Sequence, residues 1–516
     1  MIKRYFNGVI KQVHEQVGVA GKTIVMILCG NDFPADAEWS IKRYSADEED
    51  SVFFAYRQYN QGSIAEAYDP FLNIIVDCFK KYGDGNFERF LTEAGIYKLQ
   101  IEPLLSYYEN GFCKRSQPVL LSEAEYEREL FIKGIVSLLV ECSKIKPVII
   151  ALNRFQLADK GTMSVVKYLV ENPLPNIGII IGVSESGQCP LFLKETLGCI
   201  QKKLVDRNCV FNMGYTGVIN RNKDGAVTLT RKEVDDIYRR INNMTELLDF
   251  ESADYHLDKL YKRTKALGYV LPDDLLCQFG LLYAKNSVMV SDFSMALEIL
   301  NKLSRIDSNF LKFGISYLKA VCYMYLDKLD DAMELAEDTC QRSLDLDDEE
   351  LLFISQLLKI RIKMAGWNNL FFMIKDIDIP DETIEGLKKY KFYNYLAYVY
   401  VYAYDNDPKL VKKAYDERTE LTNFKKGIAI AEWIGNDQLV YHAYQKNVML
   451  ASTNGMNNIA LFYAVHTYLF LGKNKSVLLG RTLSSIGYNL SAIGYYSKAE
   501  KFYDEATAVL YSIKEG

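Results

Sequence analysis

Histidine, tryptophan and proline are scarce: 516 residues carry 4 His, 3 Trp and 11 Pro. His14, His256, His442 and His466 lie far apart, so no histidine cluster points to a metal or a nucleophile–base pair. No Ser or Cys stands in a G-x-S-x-G elbow. The 10 cysteines contain no C-x-x-C pair. Cys189, Cys199 and Cys209 are evenly spaced but lack an accompanying His or acidic pattern, so reduced thiols in a cytoplasmic protein are expected, and no metal. Long apolar runs are missing as well. IVMILC and IGIIIGV are strand-length, too short to enter a membrane, and the first residues, MIKRYFNGVIKQVHEQVG, hold no signal-peptide core. Nor does one sign of charge dominate. With 61 basic and 67 acidic residues the net charge is −6, which leaves no electrostatic footprint for direct nucleic-acid binding.

What is present is ordinary apolar content, 49%, and an unusual 37 tyrosines. The texture changes along the chain. Up to residue 215, short apolar runs at 24–30, 51–59, 146–153, 176–184 and 208–215 alternate with amphipathic stretches at 68–82, 86–108, 122–144 and 162–172. Continuous apolar strands separated by helices predict a mostly parallel sheet covered on both faces. Residues 216–230, TGVINRNKDGAVTLT, read as a linker with a turn or small hairpin. From 231 to 516 the strand signal stops and helices follow one another.

Those helices repeat. SIGYNLSAIGYYSKAEKFYDEATAVL places Gly487, Ala499, Tyr503 and Ala506 at the small and aromatic packing positions of a tetratricopeptide repeat. KAVCYMYLDKLDDAMELAEDTC does the same with Ala320, Tyr323, Ala332 and Ala336. FGLLYAKNSVMVSDFSMALEIL is a looser match through Gly280, Tyr283 and Ala296. Ala296 and Ala332 are 36 residues apart, near the period of about 34. More divergent units are expected around Ala253, Ala414 and Ala443. The prediction is an α/β domain at 1–215, then a tetratricopeptide-like solenoid at 231–516, whose repeats bury their apolar faces by stacking.

GVAGKT (18–23) ends like a phosphate-binding loop, but Gln16 stands where the first glycine belongs. The order is also inverted, with the strand after Thr23 rather than before Gly21, so no helix N-terminus would follow to receive phosphate. The loop after the first strand, Gly30-Asn31-Asp32-Phe33-Pro34-Ala35-Asp36, keeps one glycine. It lacks the Gly-Lys pair and the hydroxyl for Mg²⁺.

KPVIIALNRFQLADKGTMSVVKYLVENPLPNIGIIIGVSE (146–185) resembles the Walker B region of STAND-type, AAA-like ATPase modules that carry helical-repeat tails in MalT-like bacterial regulators. Gln156, Ala158, Asp159 and Thr162 match its pattern, and AEAYDPFLNIIVDCF (65–79) resembles the segment in which an aromatic-x-Pro-Phe leads into a helix. The resemblance implies a P-loop-NTPase-like sheet. It puts Asn153 at the Mg²⁺-associated carboxylate, Arg154 at the catalytic acid, and Ser184-Glu185-Ser186 where the family tends to carry Arg. An amide brings no charge to a divalent cation, and a guanidinium competes with one. With the phosphate lysine also missing, catalysis by positioning and charge neutralisation has nothing to act through. The reading is a vestigial nucleotide site near Gly30, Asn153, Arg154 and Asp159, a pseudo-ATPase that needs no ATP or ADP.

Three functions follow. One is a non-catalytic scaffold binding another protein or a peptide in the solenoid groove. The second is a nucleotide-switched regulator of transcription acting through a partner, since neither end of the chain shows room for a DNA-reading helix. The third is an active NTPase with an unorthodox site. YKFYNYLAYVYVYAYDN (390–406) is the richest source of amphipathic contact area. Tyr395, Tyr398 and Tyr402 share one helical face and Tyr393, Tyr400 and Tyr404 a neighbouring one. They are either inter-repeat core or an aromatic wall for a partner, and some are expected to open onto the groove.

Overall fold

The computed structural model describes residues 13, 24–29, 52–60, 64–116, 118–119, 121–184, 189–213, 231–266, 273–304, 309–368, 379–472 and 476–514. The chain divides into two compact units, Met1–Leu303 and Ser304–Gly516.

In the first unit, strands β1 (Ile24–Cys29), β2 (Phe53–Gln58), β3 (Val148–Asn153), β4 (Ile177–Ser184) and β5 (Val210–Met213) form one sheet in the order β2-β3-β4-β1-β5. Every pairing is parallel. β1 and β3 lie in the same sheet one strand apart, with β4 between them, and both end at the same edge. All of β3 is buried and β4 nearly so, while β2, at the sheet edge, is half-buried. That is why the inner strands read as unbroken apolar runs.

Helices α1 (Phe71–Tyr82), α2 (Phe87–Glu93), α3 (Lys98–Asn110) and α4 (Ala124–Ile145) lie between β2 and β3 in sequence. α5 (Lys160–Glu171) follows β3, and α6 (Leu191–Asp206) follows β4. The stretch at 86–108 predicted as one helix is two. Gly95, at φ 74°, takes the left-handed conformation that ends α2 and lets the chain turn into α3.

Helices α7 (Arg231–Glu246), α8 (Phe250–Ala266), α9 (Asp273–Met289) and α10 (Phe293–Leu303) belong to the first compact unit. Polar ties hold α7 and α8 to the sheet domain. Asn243 accepts from the Cys113 N–H at 2.8 Å and donates to the Gly111 carbonyl at 3.0 Å. Arg240 donates to the Ile64 carbonyl at 2.8 Å. Arg128 pairs with Glu251 and Arg239 with Glu66. The change of texture at 216–230, outside the described residues, is therefore not where compactness changes.

The second unit is helical: α11 (Asn309–Tyr325), α12 (Leu329–Asp345), α13 (Glu349–Asn368), α14 (Asp381–Lys389), α15 (Tyr393–Tyr402), α16 (Pro408–Glu417), α17 (Thr422–Ile434), α18 (Asp437–Thr453), α19 (Asn457–Leu471), α20 (Val477–Ala492) and α21 (Tyr496–Lys514). The three repeat matches fall on the hairpins α9–α10, α11–α12 and α20–α21. One turn recurs through both units. A left-handed residue, such as Ser291, Asp327, Lys391, Gly435 or Gly494, follows the helix. The next N–H then returns to a carbonyl five residues back, as in Asp292 to Ser287 and Lys328 to Tyr323. This motif satisfies the helix-end carbonyls in only three residues, which keeps successive helices antiparallel.

Glycine sets the helix spacing. A Cβ on Gly487 would meet the Tyr503 ring at 3.0 Å, and one on Gly280 the Leu303 side chain at 2.7 Å. Ala499 and Ala506 are 2% exposed, as an alanine between helices should be, whereas Tyr503 is 39% exposed. Ala253, Ala414 and Ala443 are buried on α8, α16 and α18.

Candidate functional site

The C-terminal ends of parallel strands are where α/β sheets hold ligands. The strand-end residues β3 supplies here are knotted together. Asn153 is buried, and its Nδ2 donates to the Tyr56 hydroxyl at 3.2 Å. Tyr56 donates to Gln58 at 3.1 Å, and Gln58 donates to Asn60 at 3.3 Å. Arg154, left-handed at φ 54°, closes the chain by donating to Asn60 Oδ1 at 3.1 Å. Both positions thus face β2. Gln156 turns the other way, its Oε1 accepting from the Ser184 N–H at 3.2 Å, which ties β3 to the end of β4. Gly30, the 30–36 loop, Glu185, Ser186 and the whole of GVAGKT lie outside the described residues. β1 begins at Ile24, directly after Thr23.

Asp159 lies inside rather than at the open edge. It caps α5, accepting from Thr162 N and Thr162 Oγ1, both at 2.7 Å, and from Tyr68 N at 3.4 Å. Its carboxyl also shares a hydrogen bond with Asp249 at the start of α8. Asp249 is fully buried, accepts from Gly161 N at 2.9 Å, and comes from the helical half of the sequence. Burial pushes both carboxyls above the usual range, and the charge of Asp159 pushes Asp249 further. Two carboxylates can bond to each other only through a proton, so the pair titrates as a unit. Beside it, Arg57, Tyr59, Asn60, Leu157, Asp159 and His256 line a polar crevice of about 10 Å³, the size of one water. Burial, with Lys259 nearby, holds the His256 imidazole down at about 4, so it is neutral at pH 7. Sequence patterning missed Asp249 and set His256 aside as isolated, because nothing in local spacing reports which side chains meet across about 90 residues.

In the helical unit, none of the six tyrosines at 393–404 is fully exposed. Tyr395 is core, at 2%, and the other five are half-buried. Tyr398 and Tyr402 pack together at 4.4 Å against Ala397, Val401, Ile428 and Leu439. Tyr393 meets Trp433 edge-on at 4.8 Å. Tyr400 lies 5.9 Å from Tyr404 and beneath Lys426. One face is therefore mostly packing and the other a partly open rim. The pattern did not identify their cationic neighbour. Arg361 on α13 lies over the Tyr395 ring at 5.7 Å.

No described helix is long and apolar enough to cross a membrane. Among the described residues no cluster of His, Cys, Asp and Glu could hold a metal.

No family model matches the chain, and no curated protein does. Among solved structures it is similar to a signal transduction ATPase with numerous domains (STAND) protein with a tetratricopeptide repeat sensor from Pyrococcus horikoshii. That likeness has 12% identity and a TM-score of 0.45, and covers 98% of this chain and 89% of the other. It is also similar to the apo form of the quorum sensor NprR from B. thuringiensis, at 14% identity and TM-score 0.34, over 54% of this chain and 76% of that one. A Rap protein complexed with Competence and Sporulation Factor is similar at 12% identity and TM-score 0.36, over 54% and 76%. An α/β sheet domain followed by tetratricopeptide-like helical repeats is the class of protein the fold defines.

Proposed function

We propose that this chain is a non-catalytic interaction protein of the cytoplasm, in which a degenerate ATPase-like domain is joined to a repeat array that binds another protein or a peptide. The observation carrying this is the knot at the end of β3. Nucleotide hydrolysis needs a carboxylate at the cation and a free acid beside it. Asn153 and Arg154 offer neither: Asn153 is engaged with Tyr56 of β2 and Arg154 with Asn60 just beyond it. The half-open tyrosines of α15 and exposed apolar side chains such as Trp433, Phe462 and Leu469 supply contact area of the kind partner surfaces use.

The test has two parts. Purified protein with Mg²⁺ and ATP should hydrolyse no faster than buffer, and turnover abolished by Lys22→Ala would sink the reading. Affinity capture should retain a partner that the Tyr400→Ala/Tyr404→Ala variant loses at unchanged Tm. Loss only with unfolding would return these tyrosines to the core. The nucleotide-switched alternative makes a different prediction: ATP or ADP should bind, and should change partner capture.

A further inference from the structure

The hairpins α11–α12 and α20–α21 share one frame. A constant offset lays Ala320, Ala332 and Ala336 on Gly487, Ala499 and Tyr503, and the left-handed Asp327 on Gly494. Their surfaces can therefore be compared position by position. In the first hairpin Val321 is 6% exposed and Ala336 not at all. There α13 packs against both helices: Ser355 meets Ser343 at 3.2 Å, and Lys359 pairs with Glu337 at 3.6 Å. At the matching positions of α20–α21, Tyr488 is 57% exposed and Tyr503 39%. Tyr496 and Tyr511, on the same stripe of α21 as Tyr503, reach 70% and 64%. A face that a following helix closes in one hairpin is thus open and aromatic in the other. Repeats bury such faces by stacking, and a face with nothing stacked on it is ordinarily polar.

The open face carries both signs of charge. Arg481 lies on the exposed stripe of α20 with Tyr488, and Glu500 and Asp504, one turn apart, lie among the tyrosines of α21. The close approach of Gly480 to Leu510 and of Gly487 to Tyr503 fixes the level of one helix against the other. Arg481 therefore stands at the Leu510 end of the face and the two acids at the Tyr503 end, levels about 10 Å apart along the helices. All three side chains are exposed, and none forms an ion pair among the described residues. In the closed hairpin Glu337 holds the position of Asp504, and the cation it meets, Lys359, comes from the helix that covers it.

We propose that this face binds its counterpart on a second copy of the chain. Opposite charges at opposite ends of one surface make that surface self-complementary. A two-fold axis lying in the face sets Arg481 of each copy over Glu500 and Asp504 of the other, so one contact is made twice. The tyrosines between the charges are then covered, and Tyr is a residue type that anchors interfaces. The inference goes beyond the partner-binding reading and does not depend on it.

Sedimentation equilibrium of the full chain tests it. A reversible monomer–dimer equilibrium is expected with no larger species, because a two-fold contact closes. Arg481→Glu sets like charges together at both contacts, as does Glu500→Lys/Asp504→Lys, and each should weaken the dimer roughly tenfold or more. An equimolar mixture of the two variants places opposite charges at both contacts again and should recover the dimer to near the wild-type affinity. Tyr488→Ala should also weaken it roughly tenfold or more.

A chain that is monomeric at every concentration overturns the proposal, leaving the face to a different protein or to a further segment. A dimer indifferent to the charge reversals, a mixture that stays dissociated, or open-ended growth overturns it as well. Partner capture through Tyr400 and Tyr404 is a separate measurement. Its success beside a monomeric chain keeps the interaction reading and removes the dimer, and its failure beside a charge-dependent dimer does the reverse.

Discussion

The Asp159–Asp249 pair in the first unit and Arg361 in the second face one difficulty, an ionisable group drawn wholly or partly out of water. They meet it differently. A carboxyl can take up a proton, so two buried aspartates become one hydrogen-bonded pair and the seam between α5 and α8 closes on itself. An arginine has no neutral form to fall back on. The protein gives it the Tyr395 ring at 5.7 Å and leaves it half-buried, in contact with water. Titratable groups buried together therefore mark a structural joint here, and the untitratable one keeps its contact with water. This contrast can be broken at its closed end by removing a partner, and sharpened by changing pH or crowding the seam.

The largest effect belongs to the other buried pair of the first unit. Arg115 and Glu127 have side chains only 4% and 1% exposed and meet at 3.1 Å. Glu127→Ala strands a buried guanidinium that, unlike Arg361, has been fitted to a carboxylate. The expected loss is about 3–5 kcal/mol, read as a lower urea midpoint for the first transition. A loss under about 1 kcal/mol would mean that a buried first-unit arginine needs its carboxylate no more than half-buried Arg361 does, and the contrast would collapse.

Next is pH. Burial pushes Glu127 up to about 7, with Arg115 opposing. A carboxyl whose folded pKa is raised gives stability that is full below its unfolded value, near 4.5, and lost as pH rises through about 7. Asp159 and Asp249 are shifted the same way. His256, held at about 4, works oppositely: its contribution is present above about 6.5 and lost as pH falls toward the folded value. The difference between wild type and Glu127→Gln isolates the carboxyl. Relative to the variant, which cannot ionise, the wild type should lose on the order of 2–3 kcal/mol between pH 4.5 and 8. A flat difference would show that Glu127 ionises normally.

Crowding the seam should cost less. A Cβ on Gly161 would come within 2.5 Å of the Tyr68 ring, and Tyr68 is fully buried. Gly161→Ala should therefore destabilise by about 1–3 kcal/mol through overpacking. It should also disturb the Gly161 N–H bond to Asp249, visible as faster amide exchange at the start of α5. Unchanged exchange and stability would mean that Tyr68 yields, and that the joint is looser than its burial implies.

Much of the fold was legible because its signals are local. The five apolar runs became five strands, and the repeat matches landed on helix hairpins whose turns reuse one left-handed motif. Gly95 was missed as a helix break, since an isolated glycine in an amphipathic pattern reads equally as tolerated. Asn153 and Arg154 were legible as anomalies. What they do instead was not, because Tyr56 and Asn60 lie about 95 residues away in sequence and meet them only through strand pairing. Asp249 and Arg361 were invisible for the same reason. An aspartate near a helix start and an arginine within an amphipathic helix are commonplace until three-dimensional neighbours are known. The tyrosines were conspicuous in the sequence, but their periodicity could not tell core from rim, and the structure divides them between the two.

The smallest expected effect is on catalysis, and its smallness is the point. Asn153→Asp restores the acid that a nucleotide-hydrolysing site would carry at the end of β3. The knot can accept it. The Tyr56 hydroxyl can turn to donate to the new carboxylate, Gln58 can flip its amide to donate to Tyr56, and Asn60 can answer by donating to Gln58 while still accepting from Arg154. The variant should thus fold with a stability change of about 1 kcal/mol or less. Hydrolysis of Mg²⁺-ATP should nevertheless stay at the buffer rate. One carboxylate supplies a cation ligand but no phosphate cradle, and Arg154 stays beside it. Appearance of turnover in Asn153→Asp, and its loss on adding Lys22→Ala, would show that a working phosphate site had survived with only its acid missing. The closed end of the molecule would then be a disabled enzyme rather than a joint.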